Sequence, residues 1–318
     1  MKPVVLAFPG MEPLAAEIAQ EVGADRAAVG LHRFPDGETL VTLPPDLQGR
    51  SVALLATLRD PDPLVLPLRF AAETAREFGA SRVGLIAPYL GYMRQDRRFG
   101  PGQAVSAPLF ARFLQESFDW LVTVDPHLHR ISALHEIFDI PTRRVASATQ
   151  IAAWIAHNVP DAIVLGPDGE SQQWVAEVAG LADRPCEVLS KVRSGDRTVD
   201  VSVPDSRTFL DGTPVILDDI ASSGRTMVTA IERLRQIGTR PPVCVIIHAI
   251  FAGDAFADIR KAGAARIVTT DSIPHESNAI HLGPGIGHAL RELEEVLDLT
   301  NAGMLQARGN ETESGKDT

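Results

Sequence analysis

Short apolar runs alternate with longer segments of helical period along most of the chain. This alternation is typical of βαβ units, in which helices join parallel strands and cover the sheet. The pattern therefore predicts an α/β protein built on mainly parallel sheets flanked by helices. The predicted strands are 4–8, 52–57, 83–87, 121–124, 162–165, 187–189, 198–203, 215–217, 243–250 and 267–270, and the predicted helices are 13–22, 64–78, 104–118, 149–157, 172–180, 226–237, 255–262 and 286–297.

The length of 318 residues is about twice the ~150 residues expected for one domain. Residues 140–144 follow the fourth strong strand and precede a helix that leads into a second series of strands and helices. We therefore predict a first domain over 1–147 and a second over 148–300. From residue 302 the chain is polar and charged, which predicts a disordered tail over 301–318.

Composition and charge exclude several classes of function. The net charge of −11 argues against nucleic-acid binding driven by phosphate neutralisation. No apolar run reaches the ~20 residues of a membrane span, and residues 1–8 lack the apolar core of a signal peptide, so a cytoplasmic protein is expected. Two cysteines are too few for a disulfide framework.

The most informative segment is 215–226, an apolar strand that runs into two acids and a loop of small and hydroxyl residues before a helix. Backbone N–H groups of such a loop, together with a helix N-terminus, can bind a phosphate group. Carboxylates at the carboxyl end of the strand suit the hydroxyls of a sugar, directly or through Mg²⁺. The segment predicts a site for a phosphorylated ribose, although caps of the next helix would explain Asp219 and Ser222 as well. The candidate residues are Asp218, Asp219, Ser222, Ser223, Gly224, Arg225 and Thr226.

This segment resembles the phosphoribosyl-diphosphate-binding signature of the type I phosphoribosyltransferase fold. The copy departs from the signature at three positions, where Ser222 replaces an acid, Ser223 replaces Thr and Arg225 replaces a small residue. Four further motifs, at 34–38, 89–97, 125–127 and 167–169, occur in the order and spacing of the ribose-phosphate diphosphokinases. The resemblance covers about residues 1 to 300 and implies two phosphoribosyltransferase-like domains.

The resemblance implies roles for particular residues in the transfer of a diphosphoryl group from Mg-ATP to ribose 5-phosphate. In that family the loop at 34–38 reaches a neighbouring subunit's ATP site, and the enzymes form dimer-based homo-oligomers such as hexamers. His127 and Asp168 match residues associated with Mg²⁺, and Lys191 and Arg193 match the mobile catalytic pair. The residues that match the ATP site are Phe34, Asp36, Glu38, Arg94, Gln95 and Asp96.

Two other functions remain open from the sequence. The altered loop residues would suit a non-catalytic associate that regulates such an enzyme by joining its oligomer. A phosphoribosyltransferase would use the same loop to consume phosphoribosyl diphosphate. Retention of Lys191, Arg193 and His127 argues against the first alternative, and the separate ATP-type motifs argue against the second.

Overall fold

The computed structural model of the chain describes residues 1–128, 130–194, 198–202 and 211–314, with backbone only at 170, 173, 190–194, 198–202 and 300–314. Its helices are α1 (Glu12–Val22), α2 (Asp62–Glu77), α3 (Ser106–Gln115), α4 (Ala148–Asn158), α5 (Gln172–Ala182), α6 (Arg225–Gln236), α7 (Ala255–Ala262) and α8 (Gly283–Ser314). Its strands are β1 (Val4–Ala7), β2 (Asp25–Ala28), β3 (Gly30–Arg33), β4 (Thr39–Thr42), β5 (Ser51–Leu55), β6 (Arg82–Ala87), β7 (Leu121–Val124), β8 (Thr142–Val145), β9 (Ala162–Gly166), β10 (Cys186–Val188), β11 (Ser190–Ser194), β12 (Thr198–Ser202), β13 (Thr213–Ile220), β14 (Val243–His248), β15 (Arg266–Thr270) and β16 (Asn278–Ile280).

The first sheet has six strands in the order β2-β1-β5-β6-β7-β8, and every pair in it is parallel. Helices cover both faces, so its central strands are buried throughout. Alternate residues of one strand face opposite sides of a sheet. Val4 and Leu6 therefore pack in the core on one face, whereas Val5 and Ala7 pack in the core on the other.

The second sheet repeats the first, with six parallel strands in the order β10-β9-β13-β14-β15-β16. If the hairpin strands are left out of the count, each domain has its first strand in chain order between its second and third strands in the sheet. Each domain also has an antiparallel hairpin in the same place, β3–β4 in the first and β11–β12 in the second. The predicted class, α/β with two similar mainly parallel sheets flanked by helices, is confirmed.

The C-terminal helix α8 does not pack with the second sheet that precedes it. Its buried residues Ile286, Leu290 and Leu293 lie in the core between α1 and the first sheet. Arg82 at the start of β6 pairs with Glu294 at 2.7 Å and fixes the contact. The sequence placed residues up to 300 in the second domain because a contact between distant segments leaves no local pattern.

The structure also differs from the sequence prediction at the sheet edges and at the C-terminus. β2 and β8 are polar edge strands with half-exposed residues, so they lack the apolar run by which the central strands were predicted. The strands β3, β4, β11 and β16 were not predicted either. α8 continues to Ser314, whereas the composition predicted a disordered tail from 301; good helix formers at 304–308 favour the helix there. No helix in the described ranges has the length and apolarity to cross a membrane.

A glycine in β6 makes room for a large aromatic ring in the core of the first sheet. Gly84 lies in β6, and a Cβ built on it would lie 1.8 Å from the ring of Trp120. The ring fills this space and is completely buried. A glycine inside a strand commonly marks such a close approach. Gly84 is therefore required by packing rather than by backbone conformation.

We expect Gly84→Ala to destabilise the protein by ~3 kcal/mol, because the new methyl group overlaps a ring that has no space to move. Gly180→Ala is the matched control, since a methyl group on this exposed glycine of α5 would meet no atom within 4 Å. The control should be neutral or stabilising by ~0.5 kcal/mol. Urea unfolding of both variants tests the packing, and equal stabilities would contradict it.

Candidate active site between the two sheets

The carboxyl ends of the two sheets meet at the boundary between the domains. His127 follows β7 of the first sheet, and Asp219 lies near the end of β13 in the second. The Nδ1 atom of His127 is hydrogen-bonded to the carboxylate of Asp219. This contact joins the domains at the edge where open α/β sheets form a ligand-binding crevice.

Asp218 and Asp219 are a buried pair of acids with different protonation. Both lie inside β13, which ends at Ile220, whereas the sequence predicted a strand that ended before them. Burial raises the pKa of Asp218 to about 8, and the charge of Asp219 adds to the effect. Burial opposes the charge of Asp219 too, but the hydrogen bond and charge of His127 outweigh it and lower that pKa. The two acids therefore titrate as a coupled pair, in which Asp218 retains its proton more readily than Asp219.

Asp168 is the third acid of this edge. It follows β9, the strand that pairs with β13, and its negative charge contributes to the raised pKa of Asp218. The Oγ atom of Ser171 donates to the main-chain carbonyl of Asp168 at 2.7 Å and fixes the turn after the strand. The structure thus brings together four predicted site residues, one from the first domain and three from the second: His127, Asp168, Asp218 and Asp219.

The loop after β13 has the backbone geometry of an anion-binding turn. Gly224 has a φ of +69° and precedes the first residue of α6, a conformation that suits glycine. Its N–H donates to the carbonyl of Ala221 at 2.6 Å, and the carbonyl of Ser222 accepts from the N–H of Ala252 at 2.8 Å. The first N–H groups of a helix lack partners within it, and with the helix dipole they can bind a phosphate.

The side chain of Arg225 is exposed beside this turn. It lines a groove of about 500 Å³ between α6 and α7, together with Ser223 of the same turn, Arg235 and Lys261. Being the first residue of the helix, it lies on the outer face, while Met227 two residues later packs in the core. Arg225 therefore occupies the outer side of the predicted sugar-phosphate loop.

His248 at the end of β14 is a residue of this site that sequence analysis missed. Its Nε2–H donates to the main-chain carbonyl of Asp125 at 3.3 Å, and its Nδ1 is hydrogen-bonded to Ser272 Oγ at 2.9 Å. Burial lowers the pKa of His248, so the ring is neutral. Asp125 has a φ of +32° and accepts hydrogen bonds from the backbone and hydroxyl of Ser147.

His248 thus holds the segment that leads to His127 against the second domain. The sequence placed His248 inside an apolar strand over 243–250, where a histidine is usually structural. A polar residue at the carboxyl end of a predicted strand was the available signal.

The loop between β6 and α3 contains three residues predicted to bind ATP. Arg94 and Gln95 are exposed, and Gln95 Oε1 accepts from Ser106 Oγ at 2.7 Å. Asp96 differs, because its carboxylate is buried and paired with the guanidinium of Arg130 at 3.2 Å. Asp96 therefore anchors the segment after β7, and Arg94 and Gln95 stay open to a ligand.

The β3–β4 hairpin contains the other predicted ATP-binding residues. Its hydrogen bonds are internal: the N–H of Phe34 donates to the carbonyl of Glu38 at 2.8 Å, and the N–H of Glu38 donates to Asp36 at 3.1 Å. The ring of Phe34 is 41% exposed and packs edge-on against His32 at 4.7 Å. The hairpin thus presents an aromatic face and two carboxylates to solvent.

Lys191 and Arg193 lie in β11, the first strand of the other hairpin. Their backbones pair with Val201 and Val199 of β12. Their side chains, and the loop at 195–197, lie outside the described part of the structure. In chain order the hairpin lies between β10, the edge strand beside β9, and β13, the strand that contains Asp218 and Asp219.

Models of known families match most of the chain. Residues 4–117 match the N-terminal domain of ribose phosphate pyrophosphokinase, and residues 135–286 match the phosphoribosyl transferase domain. Ribose-phosphate pyrophosphokinase of Methanopyrus kandleri is 33% identical, over 91% of this chain and 99% of its own length. The protein of the same name from Halobacterium salinarum is 32% identical, over 90% and 100%.

A solved structure shares the fold. Phosphoribosylpyrophosphate synthetase from Mycobacterium smegmatis superposes with a TM-score of 0.77 at 21% identity, over 92% of this chain and 99% of its own. The likeness extends over both domains and supports the arrangement of two similar sheets described above.

We expect Asp218→Asn to stabilise the ligand-free protein by ~2 kcal/mol at pH 8. The pKa of Asp218 is higher in the folded than in the unfolded chain, so its contribution is fully present below about pH 4 and is lost as the pH rises toward 8. Asn removes this loss, and the gain over the parent should increase from pH 5 to pH 8. Urea unfolding across that range measures it. The exposed Asp60→Asn is the control, and parallel pH profiles for Asp218→Asn and the parent would refute the assignment.

Proposed function

The chain belongs to the ribose-phosphate pyrophosphokinase family, and from this premise we propose how its residues carry out the reaction. It is an enzyme of that activity, and the proposed substrates are Mg-ATP and ribose 5-phosphate, with phosphoribosyl diphosphate and AMP as products. The observation that supports the proposal most is the contact of His127 with Asp219, because it joins a motif of the first domain to the sugar-phosphate segment of the second.

The acids and the histidine of the site suit a hard divalent cation. Asp218 keeps a proton only because its charged form is buried beside two other carboxylates. A bound Mg²⁺ would offset this repulsion, and oxygen ligands are those that Mg²⁺ prefers. We propose that Asp168 and His127 hold the ion on the phosphate side and that the pair of acids binds the ribose hydroxyls. When bound, the ion would neutralise negative charge on the phosphates.

The remaining residues align the two substrates. The N-terminus of α6, with Ser222, Ser223, Gly224 and Thr226, holds the 5-phosphate. Arg225, on the outer side of the loop, adds positive charge near it. Arg94 and Gln95 bind the nucleotide, so that the C1 hydroxyl attacks the β-phosphorus and AMP leaves. Lys191 and Arg193 on the β11–β12 hairpin stabilise the negative charge of the diphosphoryl group during its transfer. Positioning and charge stabilisation account for most of the acceleration in phosphoryl transfer.

A homo-oligomer is part of the proposal. Leu66 and Phe70 on α2 are 53% and 45% exposed, and Leu109 on the adjacent α3 is 47% exposed. Apolar side chains grouped on neighbouring helices mark a protein-interaction surface. A second copy of the chain on this surface would bury them. The exposed loop of Phe34, Asp36 and Glu38 would then be available to the ATP site of another subunit.

The proposed location of the protein is the cytoplasm, which cell fractionation tests.

Incubation with Mg²⁺, ATP and ribose 5-phosphate should yield AMP and phosphoribosyl diphosphate in equal amounts, resolved by chromatography. Lys191→Ala should lower kcat at least ~100-fold, because a fixed cation at the reacting phosphates is lost. Lys261→Ala, on the outer groove, is the control for charge. Formation of ADP would overturn diphosphoryl transfer, and an unaffected kcat in Lys191→Ala would remove that residue from the mechanism.

We expect the double variant Leu66→Glu, Phe70→Glu to dissociate the oligomer, because charges would be placed where apolar area is buried. Light scattering coupled to gel filtration measures the mass. The pair Glu73→Gln, Glu77→Gln on α2 serves as the control. A parent that is monomeric at every concentration, or a double variant of unchanged mass, would contradict the assigned surface.

A further inference from the structure

Three metal-ligating side chains converge at a second place on the domain boundary, away from the site described above. Glu17 lies on α1 of the first domain, Asp271 follows β15 of the second, and His281 precedes α8, which returns to the first. One ligand atom from each lies within 4.8 Å of the other two. Residues from opposite ends of the chain thus form one cluster, here named the α1–α8 cluster.

The distances in the cluster are those found between ligands of one small cation. His281 Nδ1 lies 2.9 Å from Glu17 Oε1 and 3.3 Å from Asp271 Oδ2. Ligands bonded at ~2.1 Å stand about 3.0 Å apart in an octahedron and about 3.4 Å apart in a tetrahedron. The imidazole nitrogen faces two carboxylates at once, although it has only one proton to donate.

The surroundings of the cluster support a bound ion. Glu17 Oε1 faces His281, whereas its other oxygen, Oε2, is buried beside Gly283 and has no hydrogen-bond partner among the described residues. Asp271 uses its other oxygen to accept the N–H of Leu282 at 3.0 Å, the kind of outer contact that orients a metal ligand. A Cβ on Gly283 would lie 2.4 Å from Glu17 Cβ, so this glycine makes room for the glutamate.

The electrostatics of the cluster also favour a cation. The Asp271 side chain is 16% exposed and lies close to Glu17, so two carboxylates are brought together where little water reaches them. His281 is 67% exposed, so solvent weakens its electrostatic interaction with the two carboxylates. A divalent ion would cancel both charges where they are least hydrated.

We propose that Glu17, Asp271 and His281 form a site for a divalent transition-metal ion of the Zn²⁺ class, with water on the exposed side as a further ligand. An imidazole together with carboxylates is a ligand set that Zn²⁺ commonly takes in proteins. The ion would tie α1, the loop after β15 and the start of α8 together and so stabilise the joint between the domains. The site does not depend on the proposed reaction.

The chain provides a matched control for this site. His288 on α8 is 68% exposed and pairs with one carboxylate, that of Glu292, at 3.3 Å. It shares the exposure and an acidic partner with His281 but lacks the second acid and the buried oxygen. Removal of His288 should therefore leave metal binding unchanged.

The test uses the full chain without an affinity tag, stripped with a chelator and titrated with ZnCl₂ in excess Mg²⁺ by calorimetry. The parent and His288→Ala should take up one more equivalent of Zn²⁺ than His281→Ala and Glu17→Gln. Zn²⁺ should also raise Tm in the parent and His288→Ala but not in His281→Ala, because it binds the folded chain only. Co²⁺ should give visible ligand-field bands in the parent that His281→Ala lacks.

Two outcomes would overturn the proposal. If the parent and His281→Ala take up the same number of Zn²⁺ equivalents, the cluster is an ion pair and any Zn²⁺ binds elsewhere. If His288→Ala loses uptake as His281→Ala does, the binding is that of exposed surface histidines. Glu17→Gln keeps the shape of the side chain, so its metal uptake remains informative if His281→Ala proves unstable.

Discussion

The structure depends on the burial of Asp218 and Asp219 side by side at the boundary of two domains. A pair of buried carboxylates repel each other and lose their hydration, and here the arrangement persists because one acid keeps a proton and the other is paired with His127. His127 comes from the other domain, so the two sheets must stay in one relative position for the pair to be tolerated. His248 of the second sheet also helps to fix this relative position, through its hydrogen bond to the main-chain carbonyl of Asp125.

Much of the fold could be predicted from the sequence because buried parallel strands are continuous apolar runs. The same reasoning located the acids, the loop and the histidine, which follow or end such runs. The edge strand β2 and the return of α8 to the first sheet could not be predicted, since a polar edge has no apolar run and a distant contact has no local signal. His248 was missed for a related reason: its importance lies in a partner 123 residues away.

Some residues of the predicted site have a different position from the one that their motif suggested. Asp96 is adjacent in sequence to Arg94 and Gln95, yet its carboxylate is buried against Arg130. Arg225 is adjacent to the phosphate loop, yet it lies in the outer groove of α6 and α7. A motif assigns residues to one segment, whereas the direction of each side chain depends on the helix turn and on partners that the motif does not contain.

The two sheets have the same strand order, and equivalent loops of the two domains meet at the boundary but contain different residues. The fourth strand of each sheet order, β6 and β14, leads to Tyr89 and His248, whose rings pack at 4.9 Å. On one side of this pair His127 meets Asp219. On the other side the equivalent loops place His275 near Arg59, and burial together with that positive charge lowers the pKa of the histidine. His127 and the acids of β13 thus lie on one side of the ring pair, whereas the equivalent loops on the other side contribute a histidine and an arginine.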